Sequence, residues 1–375
     1  MRSSWYRLLP LLVALGGCAT ASDPASQTAA ATIPREWMSV PAATRIGAVS
    51  LDAERKVTVA AEPAPARLTD GPIRIQSDPI RPRLMNGEKP ITDQFAAIDS
   101  FDFSESRQEV IFSARREDNF DIGLAAADGS KVNWVPNDPA DEVQVEWAPR
   151  GSKVSYVIRA KGGDVVRTLH IPTAMQFAVP FPMATIHALA WDPQAEQYAV
   201  AYSTPDASDR VEVLKYEGTE RRTVIPPAAT LDADIEPFAA DAILLRPRDL
   251  RYDEKVPLAV WIGELAWSDA RAALAKSARV AMIVTRRPPG EAFWKAVAEL
   301  PWIDARRLFV VAPQPVTVAP AIAPVIITAD PAVAGGQYRR DGNVVSVPPA
   351  VIQSFSAGFI ADQLKRTTPT NGSSR

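Results

Sequence analysis

Two histidines, one cysteine and a few close-set carboxylates are the residues from which this 375-residue chain would have to build acid–base, nucleophilic or metal chemistry. His170 and His187 stand apart in the sequence and Cys18 is the only cysteine, so a zinc site, which takes three or four nitrogen and sulfur ligands, is not expected. Asp232 with Asp234, and Asp138 with Asp141 and Glu142, have the spacing of groups that bind a cation or divide acid and base roles. The simpler reading places them on solvated loops. Arg286-Arg287 and Arg339-Arg340 could hold an anion or form solvated edges. Ala334-Gly335-Gly336 lacks the strand–loop–helix setting of a phosphate loop and reads as a turn, and Asn371-Gly372-Ser373 matches a glycosylation acceptor by letters only. With 41 Lys+Arg against 44 Asp+Glu and no basic tract, nucleic acid is not an expected partner, and no cofactor is expected either.

The elements that would position these groups are unevenly spread. A composition of 47% hydrophobic and 23% charged residues suits a globular chain, and 34 prolines favour loops and edge strands over long helices. Met1 to Cys18 carries Arg2 and Arg7, an apolar run from Leu8 to Leu15, then Gly16 and Gly17, the pattern of a signal segment too short to span a membrane. Leu15-Gly16-Gly17-Cys18 resembles the bacterial lipobox. That resemblance implies a diacylglyceryl group on the Cys18 thiol, cleavage before Cys18 and, with Ala19 following, residence at the outer membrane facing the periplasm. From Ala19 to Pro34 hardly any large apolar residue occurs, which reads as a tether unable to bury a core.

A repeat follows. Phe103, Trp147 and Trp191 are spaced 44 residues apart, each closing an apolar stretch and preceding a polar turn and a β-rich run that begins at Val110, Val154 or Tyr198. A period near 44 residues with four short strands per unit is the pattern of propeller blades, which cover their apolar faces by stacking on one another. The three aromatics are expected in the core between blades. Ala48–Leu51, Val57–Ala60 and Ile73–Ile75 suggest strands of one further, irregular blade between Thr44 and Asn86. The blades resemble those of the Tol-system propeller and of the prolyl oligopeptidase propeller, which implies envelope protein or peptide partners.

After Pro226-Pro227 the pattern alternates. Strands are predicted at Pro257–Ile262, Val280–Val284, Leu308–Val311 and Val325–Ile327, and helices at Asp269–Ser277, Glu291–Leu300 and Pro349–Lys365. Continuous apolar strands between helices predict a parallel sheet covered on both faces. The order of blades and then an α/β unit, with the run Ile303 to Pro315 and the strand and loop at Pro324–Val333, resembles the prolyl oligopeptidase family. That resemblance implies a Ser-His-Asp hydrolase, with Gln314 at the serine position, Asp330 at the acid position and Asp341, beside Gly342, at the histidine position.

Only Asp330 keeps the residue type the resemblance calls for. An amide is no nucleophile, Pro315 has no N–H to offer an oxyanion, and an aspartate is not a base poised near neutral pH. The segment Val316 to Ala323 is also too short for the family's intervening elements. The expected fold is therefore a β-propeller with WD-like blades followed by a small three-layer α/β sandwich resembling a truncated α/β-hydrolase. The expected organisation is a signal segment over 1–18, a disordered tether over 19–40, the propeller over 41–230, the hydrolase-like unit over 231–366 and a disordered tail over 367–375. The expected function is that of a lipid-anchored, non-catalytic binding module; the alternative is a serine hydrolase or peptidase with an unconventional site, for which Ser354 or Ser356 would be nucleophile candidates.

Overall fold

The computed structural model describes residues 30–367 apart from 39–44, 62–68, 77–80, 136–137, 151, 240–241, 252, 264, 317 and 319–323. Cys18 and its neighbours, and the tail beyond 367, lie outside the described residues. The first elements are β1 (Ala31–Thr32), α1 (Arg35–Met38) and an antiparallel hairpin of β2 (Ile46–Leu51) and β3 (Val57–Ala61). Four antiparallel four-stranded sheets follow in chain order. They comprise β4 (Thr69–Asp70), β5 (Ile73–Gln76), β6 (Arg83–Asn86) and β7 (Lys89–Pro90); β8 (Ile98–Ser104), β9 (Glu109–Arg115), β10 (Phe120–Ala126) and β11 (Val132–Trp134); β12 (Glu142–Trp147), β13 (Lys153–Ile158), β14 (Gly163–His170) and β15 (Met175–Pro182); and β16 (Thr185–Trp191), β17 (Gln197–Thr204), β18 (Ala207–Lys215) and β19 (Arg222–Ile225).

The 44-residue period is visible in the register. Phe103 pairs with Val110, Trp147 with Val154 and Trp191 with Tyr198, so each repeat aromatic occupies the same place beside the first turn of its sheet. Neighbouring sheets are also pinned by a repeated carboxylate-to-amide bond. Asp70 accepts the Phe103 N–H at 2.7 Å and Asp102 accepts the Trp147 N–H at 2.6 Å. Apolar contacts run from sheet to sheet: Ile73 and Leu84 against Phe101 and Phe112, Ile111 and Ile122 against Val145 and Tyr156, and Val157 and Val179 against Ile186 and Val200.

The segment between Thr44 and Asn86, read as one further blade, divides instead. Strands β4–β7 pack on β8–β11, whereas Ile46, Val49 and Leu51 of β2 pack on Ala199, Val211 and Val213 of the β16–β19 sheet. Five small sheets thus stand in series, with the earliest hairpin at the far end. The apolar face of that hairpin is covered by a partner more than a hundred residues away, because two strands alone cannot cover their own apolar side.

The rest of the chain forms β20 (Ala233–Phe238), β21 (Ala242–Pro247), β22 (Val256–Ile262), α2 (Asp269–Ser277), β23 (Ala281–Thr285), α3 (Glu291–Ala298), β24 (Ile303–Ala312), β25 (Val325–Ala329), β26 (Gln337–Asp341), β27 (Val344–Val347), a 3-10 turn at Pro349–Val351 and α4 (Ile352–Thr367). Nine strands make one mixed sheet in the order β1-β26-β27-β25-β24-β22-β23-β21-β20, with β23, β22, β24, β25 and β27 mutually parallel. Alternate residues of β22 explain its unbroken apolar run. Ala259 and Trp261 face Leu274 of α2 and Phe355 and Phe359 of α4, while Leu258 and Val260 face Phe293, Trp294 and Val297 of α3. This is the three-layer arrangement expected.

Residues 31–38, read as part of the tether, are built into this unit. β1 adds to β26 at the sheet edge, and Trp37 meets Phe355 and Phe359 edge-on at 5.4 and 5.5 Å between ring centroids. Ile33 and Trp37 are the apolar anchors that the small-residue stretch before them lacks.

Candidate functional site

The three positions singled out by resemblance do not meet. β24 ends at Ala312 and Gln314 follows in an exposed bend; β25 ends at Ala329 and Asp330 follows, its N–H donating to the Val347 carbonyl at 2.8 Å and its Oδ1 accepting the Ala332 N–H at 2.9 Å. Both lie past the carboxyl edge of parallel strands. Asp341 instead closes β26 and pairs with Val344, which pairs with Ile326 near the start of β25. The four strand steps from Ile326 to Asp330 correspond to about 13 Å, so Asp341 sits toward the opposite edge of the sheet. Asp341-Gly342 enters a hairpin turn with Gly342 at φ 57°, and β27 intervenes before the last helix. Among the described residues between β24 and β25, none is helical, so the strand–turn–helix that exposes a hydrolase nucleophile is not seen there.

Serines near that edge are held differently. Ser356 is fully buried and donates to the Ile352 carbonyl at 2.6 Å. Ser354 lines a cleft of about 550 Å³ at the ends of β22 and β24, together with Trp267, Asp269, Pro313 and Gln353. No histidine lines it; Asp269 accepts the Trp267 Nε1–H at 2.9 Å and Gln353 accepts the Trp261 Nε1–H at 2.7 Å.

A larger cleft, about 810 Å³, opens between the small sheets and the carboxyl ends of β22 and β23. Its walls come from the turns around 138–144, 159–162 and 185–187 on one side and from Gly263 and Arg286-Arg287 on the other. Asp164, fully buried, stands behind that wall. It receives Arg159 and, at 2.7 Å, Arg286 Nη2, and its second oxygen also accepts the Ile186 N–H at 2.7 Å. Arg286 Nη1 donates to the Ala160 carbonyl at 3.0 Å. A side chain read as half of an exposed pair is therefore the bolt between the two units. Arg286 and Asp164 are 122 residues apart, and no local pattern could have joined them.

The cleft is electropositive in a chain of net charge −3. Arg159 and Arg286 share the one carboxylate of Asp164, while Asp138 turns to Arg167 at 3.4 Å and Asp141 accepts the Phe120 N–H at 3.0 Å. Gln144 sits in the left-handed region at φ 54°, at the bulge between Val143 and Glu146, and staples two sheets by donating from Nε2 to the His187 carbonyl at 3.1 Å. Arg339 and Arg340, by contrast, are exposed on β26, away from this cleft.

His187 brings serine and aspartate together in an arrangement the sequence reading did not single out. Its Nε2 is 2.8 Å from Ser203 Oγ and 3.4 Å from Asp209 Oδ1. A hydrolase triad uses the two ring nitrogens separately, Nε2 for the nucleophile and Nδ1 for the acid. Here both partners approach one nitrogen, and Ser203 is wholly buried with its Oγ accepting the Trp267 N–H at 3.0 Å. Asp209 Oδ2 accepts the Ile46 N–H at 2.6 Å. The group joins the β16–β19 sheet, the β2–β3 hairpin and the segment before α2. Burial would raise the Asp209 carboxyl, yet hydrogen bonds from His187 and the Ile46 amide, with the charges of His187 and Arg45, hold it below the ordinary range.

Behind Asp138 lies a second buried acid. Burial pushes the Glu142 carboxyl up to about 7, helped by Asp138 and Asp121 and opposed by the Ile122 backbone and Arg167. Asp232 and Asp234, the other carboxylate pair noted in the sequence, form surface ion pairs with Arg248 and Arg246. Among the described residues no group of three or more His, Cys, Asp and Glu is placed to hold a metal, and no helix is long and apolar enough to cross a membrane.

No protein-family model matches the sequence, and no curated protein matches it. Solved structures do. The acylaminoacyl peptidase of Pyrococcus horikoshii superposes with a TM-score of 0.50 at 12% identity, covering 73% of this chain and 52% of that one. Oligopeptidase B of Leishmania major gives 0.49 at 9% identity, over 73% of this chain and 47% of that one, and dipeptidyl peptidase 4 of Porphyromonas gingivalis gives 0.47 at 12%, over 69% and 47%. The chain spans about half the length of these structures. At such identities the likeness is one of fold: several small antiparallel sheets joined to a hydrolase-type α/β unit, as in the acylaminoacyl peptidase.

Proposed function

We propose that this chain is a non-catalytic peptide-binding protein on a peptidase-like scaffold, held at the bacterial outer membrane by a lipid on Cys18 and facing the periplasm. Its five small sheets act as the blades of a propeller-like body, and the ligand lies between that body and the α/β unit. The observation that carries the reading is the dispersal of Gln314, Asp330 and Asp341 over two edges of the sheet, with Ser203 buried beside a histidine nitrogen that Asp209 also approaches. Gln314 and Asp341 stand apart from each other, Ser203, though within reach of His187 Nε2, is wholly buried, and the Gly263 N–H, at the end of β22, is taken by the Thr285 carbonyl at 2.8 Å.

A serine peptidase is the second reading, and the likeness of fold to the acylaminoacyl peptidase supports it. Ser203 or Ser354 would then be the nucleophile, after a rearrangement that frees the one or brings a base to the other. Purified protein treated with a fluorophosphonate and with a random tetrapeptide pool separates the two. Binding without labelling or cleavage supports the first; a label or cleavage lost in Ser203→Ala or Ser354→Ala establishes the second. For the anchor, metabolic labelling with an alkynyl fatty acid is expected in the wild type and absent in Cys18→Ala; equal labelling, or none in either, refutes it.

A further inference from the structure

We propose that the cleft between the small sheets and the α/β unit recognises a peptide by its free C-terminal carboxylate, with the Arg287 guanidinium as the principal contact. The inference rests on the peptide-binding reading above and adds the chemical group that is held.

The argument is one of charge placement. Five cationic side chains line the cleft, Arg45, Arg159, Lys161, Arg286 and Arg287, against the carboxylates of Asp138 and Asp141. Those two acids keep their charge while bonding Arg167 and the Phe120 N–H, and the cations of the cleft still outnumber its carboxylates when Asp164 behind the wall is counted. Asp164 is the buried counter-ion, and it has to balance both Arg159 and Arg286, whose side chains are 24% and 19% exposed. One positive charge is thus left over at a wall that water reaches only partly, where a ligand anion would be attracted more strongly than at an open surface.

Arg287 is exposed and lines the same cleft next to this pair, and its side chain makes no hydrogen bond or ion pair with another described residue. Its backbone is fixed by the Thr285 hydroxyl, which donates to the Arg287 carbonyl at 3.1 Å. Its guanidinium presents a fork that matches a carboxylate in two parallel hydrogen bonds. The neighbouring wall is shaped for a chain rather than a compact ion. Pro139 and Ala140 offer short apolar contacts, and a Cβ at Gly162 or Gly263 would meet nothing within 4 Å, so the space over both glycines is open. A volume near 810 Å³ is in the range that encloses a ligand of several residues.

The test is retention of a random tetrapeptide pool, prepared once as free acids and once as C-terminal amides, by the whole protein in ultrafiltration with mass-spectrometric readout. Free acids are expected to be retained about tenfold better than amides, as one charge-assisted pair would give. Arg287→Ala should abolish the difference, Arg287→Lys should restore part of it, and Arg339→Ala, on the exposed β26, should leave it intact. Equal retention of acids and amides would overturn the carboxylate contact while leaving peptide binding standing; retention of neither pool would overturn both. A preference that survives Arg287→Ala would place the carboxylate elsewhere and refute the assignment.

Discussion

The carboxyl edge of the large sheet has two halves that treat charge in opposite ways. At the ends of β22 and β23, Arg286 is drawn into the small sheets and shares a fully buried carboxylate with Arg159, and the neighbouring His187, Ser203, Asp209, Trp267 and Ile46 interlock across three segments. At the ends of β24 and β25, Gln314 is exposed and Asp330 bonds only within its own turn and to the adjacent strand end. Polar groups that cost free energy to bury are concentrated where the units meet. Among the described residues at the ends of β24 and β25, where a hydrolase of this fold would keep its nucleophile, Thr328 is buried but no charged side chain is. The first half is built to hold a fixed geometry, and the second tolerates change.

Breaking the buried trio gives the largest expected contrast. Asp164→Ala leaves two partly buried guanidiniums without a counter-ion and should cost about 3–5 kcal/mol, with separation of the units visible as new protease sensitivity at the 159–162 and 286–287 turns. A variant that melts with the wild type would remove the distinction between the halves. Gly358→Ala comes next. Its Cβ would stand 2.4 Å from Trp37 Cα, so α1 must shift, at about 1–3 kcal/mol, and faster hydrogen exchange should appear in residues 31–38 before the rest.

Glu142 sharpens the comparison through pH. Its carboxyl titrates near 4.5 in an unfolded chain and at about 7 in the fold, so over that window the folded protein binds more protons than the unfolded one. Stability should therefore fall as pH rises from 4.5 through 7, and Glu142→Gln should flatten the melting profile in this range; an unchanged slope would show that another group is responsible. Asp209 acts in the other direction and lower down, its contribution being present above the ordinary carboxyl range and lost as pH falls through its depressed value. Smallest of all, Gln314→Ala, Asp330→Asn and Asp341→Asn should each change stability by no more than about 0.5 kcal/mol, measured by chemical denaturation.

What could be read from the sequence follows the range over which each feature is determined. The three repeat sheets were legible because Phe103, Trp147 and Trp191 pair seven residues ahead within one sheet, a local constraint that recurs with the repeat. Helix α2 was legible over Asp269–Ser277 because Ser268 caps it, accepting the Arg271 N–H. The hairpins β20–β21 and β26–β27 were not foreseen. Neither was the docking of β2 on the β16–β19 sheet, whose partners lie more than a hundred residues on and carry no local mark. The tether was drawn too long for a similar reason: Ile33 and Trp37 are ordinary residues until α4 and β26 supply their neighbours. At the site, residue types alone set Gln314 and Asp341 apart from the serine and histidine that the resemblance calls for, but only the strand register shows that Asp341 is on the other edge. The cleft itself was illegible, since Arg286 and Asp164 meet only in the fold.

Hydrogen–deuterium exchange of the whole protein, with and without a saturating tetrapeptide free-acid pool, asks directly which half of the sheet edge receives a ligand. The account predicts new protection in 138–144, 159–162, 185–187 and 285–287, with 313–316 and 330–333 unchanged. Protection confined to 313–316, 330–333 and the start of α4 would contradict it and return the function to the hydrolase position.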